Sequence, residues 1–293
     1  MPIPRFLLVP VLFLSPVLLA QESGTPPAAS RLQDENPVWA ATFDEAVERA
    51  RAMPDGRVFV ELRSSDCPEC VRMEKLIYPS VSFRAFMRDK VPVLLDRASP
   101  DGQRLTERFG LQRVPAWLVL TPDLLLAGRH EGGSSQALWM EKFVDSERAW
   151  AEFRRKLDVE KKTPNDPAAV FAVAEEAYRR VGDAMARERF ERVAADEKAP
   201  AELRERSLAY LAGIALEERR FGDAEKALKQ ILATTKNPVL AEQADLRLAD
   251  VEIGRGERQK ASAHLKDFLR KHPQSPMRKD VEALIEALDG SKP

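Results

Sequence analysis

The sequence predicts an α/β domain with a central sheet, followed by an all-α helical-repeat domain. Three observations carry this. Short apolar runs alternate with helix-period segments between Trp39 and about Asp145. Beyond Pro164 the composition turns to Ala, Leu, Glu and Arg with almost no strand signal, and in that half a pair of helices recurs at a nearly fixed step. A chain of 293 residues suits two domains, and 44% hydrophobic residues suffice for packed cores. The 46 Lys and Arg nearly cancel the 47 Asp and Glu, so no long-range field draws in a polyanion and nucleic acid is a poor partner.

The N-terminus, "MPIPRFLLVPVLFLSPVLLA", puts Arg5 ahead of an apolar stretch from Phe6 to Leu19 and ends on small Ala20. Residues 1–20 therefore read as a secretory signal peptide, which makes the protein periplasmic or secreted. The alternative is an uncleaved membrane anchor, but Pro10 and Pro16 interrupt the run, which falls short of the roughly 20 residues of a span. Residues 21–37, with Gly24, Pro26, Pro27, Ser30 and Pro37, read as a flexible tether.

The α/β domain, 38–145, opens with "TFDEAVERARAM", where Thr42 and Glu45 form a capping box ahead of Phe43, Ala46, Val47 and Ala50 on one helical face. After a turn at Asp55 and Gly56, residues 58–62 ("VFVEL") make a strand that runs into the cysteines. The helix after it starts at Pro68, with Val71, Met73, Leu76 and Ile77 spaced for burial. Strands follow at 91–96, 116–120 and 124–132, the last with a glycine break, and a short helix at 102–110 lies between the first two. Ser134 or Ser135 caps a helix carrying Leu138, Trp139 and Phe143. A separate connecting helix and linker spans 146–163.

In the helical domain, 164–290, three segments (180–193, 220–232 and 254–269) each open with a glycine turn and continue as an amphipathic helix. Another helix precedes each of them. Ala186, Ala224 and Ala261 align at steps of 38 and 37 residues, with Phe190, Leu228 and Leu265 four residues later. Small alanines let paired helices approach, and the larger residues fill the gap to the next pair. A helix at 277–288 caps the stack, and the alternative is a non-repeating helical bundle.

"SSDCPECVRMEK", residues 64–75, holds both cysteines of the chain. A C-x-x-C at a helix start places Cys67 where unpaired N–H groups and the positive dipole end stabilise a thiolate, the nucleophilic form. Cys70, one turn on, is placed to resolve a mixed disulfide formed at Cys67. No cofactor beyond this redox-active disulfide is implied. Asp66 and Glu69 place negative charge beside the thiolate and favour the disulfide form, hence reduction of partners, while Arg63 and Arg72 oppose them. A metal site lacks ligands: there is no second cysteine pair, and His130, His264 and His272 are scattered. A purely structural disulfide remains an alternative.

These residues carry two resemblances. Residues 38–144 resemble thioredoxin-like proteins, especially exported members with Met-Glu after the C-x-x-C, here Met73 and Glu74. "VFVELRSSDCPEC" places Glu61 six residues before Cys67, where that family has a buried acid, and "FGLQRVPAWLVL" (109–120) resembles its cis-proline segment. The resemblance implies thiol–disulfide exchange: Cys67 attacks, Cys70 resolves, Glu61 takes a proton, and Val114 ahead of a cis Pro115 pairs with the substrate. Asp66 replaces the family's aromatic before the first cysteine, and Pro92 stands where a lysine often sits. The second half resembles tetratricopeptide repeats, with Pro273 twelve residues after Ala261, although its repeats are longer than the usual 34 residues and lack the first-helix aromatic. Implied partners are client proteins with thiols or disulfides, an electron donor or acceptor, and a protein or peptide ligand on the repeats. The competing reading is a non-catalytic adaptor with a vestigial redox fold.

Overall fold

The computed structural model describes residues 36–133 and 135–290. The expected signal peptide and nearly all of the tether lie outside them. Among the described residues no helix is long and apolar enough to cross a membrane.

Helix α1 (Phe43–Arg51) leads to strand β1 (Arg57–Arg63). Helices α2 (Pro68–Leu76) and α3 (Val81–Phe86) then cross to β2 (Lys90–Asp96), parallel to β1. Helix α4 (Pro100–Phe109) precedes β3 (Ala116–Leu120), which runs antiparallel to β1, and β4 (Leu126–Glu131) runs antiparallel to β3. The sheet order is β2-β1-β3-β4. Central β1 is buried on both faces, so its side chains alternate between two cores. Val58, Val60 and Leu62 face α1 and α4 with Phe43, Leu105 and Phe109. Phe59 faces Met73, Ile77, Trp117 and Phe143.

The capping box forms, with Thr42 Oγ1 accepting from Glu45 N–H and Glu45 Oε2 accepting from Ala41 N–H. Ser135 caps the helix that follows β4 by accepting from Leu138 N–H. That helix, α5 (Gln136–Lys162), is a single element of 27 residues, so a separate connecting helix from 146 is not seen. It is continuous because Trp139, Phe143 and Ser146 pack on the sheet side while Phe153 enters the helical core. Gly128 allows this approach: a Cβ there would lie 1.7 Å from Ser146 Oγ.

The rest is helical: α6 (Pro167–Arg179), α7 (Asp183–Ala195), α8 (Ala201–Glu217), α9 (Phe221–Thr234), α10 (Pro238–Gly254), α11 (Arg258–Lys271) and α12 (Arg278–Gly290). Each packs against the next. Ala186, Ala224 and Ala261, with Phe190, Leu228 and Leu265, are fully buried between them. The turn within each pair contains a left-handed residue five positions before the alanine: Val181, Arg219 and Gly256. Only the third is a glycine, so the expected glycine turns need correcting. Gly182 has φ −98°, and a Cβ there would lie 2.4 Å from Leu125 Cδ1, so that side chain would have to shift.

The two halves are locked together at the β4 edge. Leu126 N–H donates to Arg180 O (3.0 Å), and the Arg180 guanidinium donates to Leu126 O and Ala149 O, each at 2.9 Å. The same group pairs with Glu176 at 3.0 Å and lies over the Phe153 ring. A buried guanidinium is tolerated only when its donors are met in this way.

Candidate functional site

The site lies where β1 ends and β3 begins. Cys67, four residues past β1, is the N-cap of α2, and its Sγ accepts from Cys70 N–H at 3.1 Å. Pro68 occupies the first turn, where a missing N–H costs nothing. The two cysteines form a disulfide in which Cys67 retains 9% exposure and Cys70 only 1%. Both are largely buried, and Cys67 is the more exposed of the two. Of the four apolar residues expected to be buried on α2, Met73 and Ile77 are, whereas Val71 (46%) and Leu76 (47%) are exposed. Cys70, Met73 and Ile77 form the inward stripe, and a helix docked by one edge has no room for a wider one.

Glu61 is fully buried. By strand alternation it shares the face of Phe59, the face that α2 covers, and it sits in register with Leu94 on β2 and Trp117 on β3. Neither carboxylate oxygen has a hydrogen-bond partner among the described residues. Burial pushes its pKa up to about 8; Arg63 pulls the other way and Glu74 adds to the rise. Arg63 and Glu74 pair with each other at 3.3 Å, and Arg72 holds Glu69 at 2.7 Å. The two arginines weighed against the acidic surroundings are thus each engaged with a glutamate.

The Val114–Pro115 peptide is cis and directly precedes β3. The main chain of Val114 makes no hydrogen bond among the described residues. Gly132 and Gly133 join this segment to α2. Gly132 N–H donates to Pro115 O at 2.7 Å, and Gly133 lies so close to α2 that a Cβ would be 2.4 Å from Glu69 Oε2.

Sequence reasoning missed Glu131, at the end of β4. Its Oε2 accepts from Gln112 N–H (2.7 Å) and Arg113 N–H (3.2 Å), and Arg129 pairs with its other oxygen. Arg97 binds the carbonyls of Leu111 and Gln112, and Arg129 that of Phe109. The turn leading to the cis-proline is therefore held by side chains from two other segments. No local pattern reveals this, because the partners are 18 and 19 residues apart in the chain.

A mixed sheet between helical layers, with a C-x-x-C pair capping a helix beside a cis-proline turn, is a thioredoxin-like fold followed by a helical C-terminal region. Two solved structures are similar to part of this chain. A thioredoxin from Thermus thermophilus is 22% identical, covering 38% of this chain and 87% of its own, with a TM-score of 0.34. A DsbH oxidoreductase is 16% identical, covering 43% of this chain and 92% of its own, with a TM-score of 0.33. No family model and no curated protein matches the chain.

Proposed function

We propose that the protein is an exported thiol–disulfide oxidoreductase that reduces or exchanges disulfides in client proteins selected by its tetratricopeptide-like repeats. The observation that carries this is the disulfide-forming pair at the α2 N-terminus, in which Cys67 keeps more exposure than the fully buried Cys70. In the reducing direction the Cys67 thiolate attacks a client sulfur, forming a mixed disulfide and expelling one client thiolate. Cys70 then loses its proton to Glu61, directly or through water, and attacks Cys67 Sγ. The Cys67–Cys70 bond forms, the second client thiolate leaves, and the pair has given up two electrons. An external dithiol restores the reduced pair.

A base is most effective when its pKa lies near the working pH, and Glu61, at about 8, meets that condition. Val114 and Pro115, just before the end of β3 that pairs with the end of β1, align the client strand by main-chain pairing. Asp66 keeps a negative charge next to Cys67, which favours the disulfide and hence reduction of clients. Export rests on the apolar N-terminal segment alone.

Trapping is the direct test. Cys70→Ala should leave clients disulfide-linked through Cys67, and Cys67→Ser should yield none. A Cys67 no more reactive toward an alkylating probe than a free thiol, with nothing trapped, would return the protein to the adaptor reading.

A further inference from the structure

The helical half contains a cavity of about 250 Å³ between α6, α8, α9 and α10. That is below the roughly 300–1,000 Å³ of small-molecule sites, so it suits an inserted side chain better than a cofactor. Its floor is apolar, formed by residues such as Leu228, Ile231 and Leu240, and its charged lining is Arg206 and Arg247 with no carboxylate. The acids at its border are committed elsewhere. Glu175 holds Arg179 (3.2 Å), Arg206 (2.9 Å) and the Tyr210 hydroxyl (2.9 Å), and Glu217 accepts from Tyr178 at 3.0 Å. Arg247 makes no ion pair or hydrogen bond among the described residues. Asp250, one turn along α10, senses its charge without pairing with it.

Gly213 lies close to this guanidinium. It lies buried inside α8, where glycine is less favourable than alanine. A Cβ there would come within 3.2 Å of Arg247 Nη1 and 3.8 Å of the Tyr178 hydroxyl. The guanidinium rests near the bare Gly213 backbone, at the apolar pocket that Tyr178 and Tyr210 also line.

We propose that this groove binds an extended segment of a client protein that presents an aspartate or glutamate next to an apolar side chain. The carboxylate meets Arg247 and the apolar group fills the pocket. The proposal deepens the reading that the repeats select the client, and it does not depend on the cysteine chemistry. Charge complementarity decides the occupant: an unpaired cation over an apolar floor attracts a carboxylate and repels a basic segment.

The test uses the full chain with its disulfide intact and fluorescence anisotropy of labelled, cysteine-free, C-terminally amidated peptides, so that no thiol exchange contributes. One peptide carries leucines flanked by aspartates, a second replaces the aspartates with asparagines, and a third with lysines. The aspartate peptide should bind at least about tenfold more tightly than the asparagine peptide, as expected for a charge-assisted hydrogen bond. The lysine peptide should be weakest, and added salt should narrow the difference. Arg247→Gln should erase the aspartate advantage, Arg247→Lys should keep part of it, and circular dichroism should show both variants folded. Equal binding of the three peptides, no binding by any, or an aspartate advantage that survives Arg247→Gln overturns the proposal. Client trapping through Cys67 in the otherwise native protein is scored separately, so failure here leaves the redox reading standing, and the reverse holds too.

Discussion

Replacing Glu61 by glutamine removes an acid whose protonation depends on its burial. Its pKa is about 8 in the folded protein against an ordinary 4.5. Between those values the native state holds a proton that the unfolded chain has released, so stability falls as pH rises. The contribution is fully present below 4.5 and is lost as pH climbs through about 8. At about 1.4 kcal/mol per pH unit, the window amounts to about 5 kcal/mol. Glutamine carries no titrating proton. The Glu61→Gln protein, with its disulfide intact, should therefore gain on the native protein by several kcal/mol between acidic and mildly alkaline pH. Urea unfolding followed by tryptophan fluorescence measures this, since Trp117 and Trp139 lie in the core on the Glu61 face. Parallel stability curves for the two proteins would show a solvated carboxylate and remove the argument for a poised proton acceptor.

Two further perturbations address what holds the site and the halves together. Arg180→Ala deletes the donors to Leu126 O and Ala149 O and the pair with Glu176. It should cost roughly 3–5 kcal/mol and split one unfolding transition into two; a single transition at unchanged midpoint would deny the lock. Glu131→Ala frees the N–H groups of Gln112 and Arg113, so KM for a disulfide client should rise roughly tenfold or more with Cys67 alkylation unchanged. Glu131→Gln, which keeps an acceptor, should recover part of the loss, and an unaltered KM in the alanine variant would count against this positioning role.

Much of the fold was legible because it is written in local periodicity. The run "VFVEL" had the apolar content of a central strand, Thr42 with Glu45 had the capping-box spacing, and "AWLVL" coincided with β3 (Ala116–Leu120). The continuity of α5 past Asp145 was not legible, because a helix that changes partners partway shows two short patterns with different faces. The left-handed Val181 and Arg219 were hidden because they close helix ends, with Gly182 and Arg220 N–H donating back to Ala177 and Ala215 O, in a conformation usually taken by glycine.

The amino-acid order by itself determined most of the strands and helices, where the two sulfurs fell relative to a helix start, and how far apart the helix pairs recur. Each follows from forces acting within a few residues: alternation, capping and the reach of one helical turn. Only the assembled molecule decided that Glu61 is buried with no hydrogen-bond partner among the described residues, that Glu131 on β4 holds the turn leading into the neighbouring β3, and that Arg247 rests close to Gly213. Those outcomes depend on burial and on contacts between residues distant in the chain, and no short window of sequence contains either.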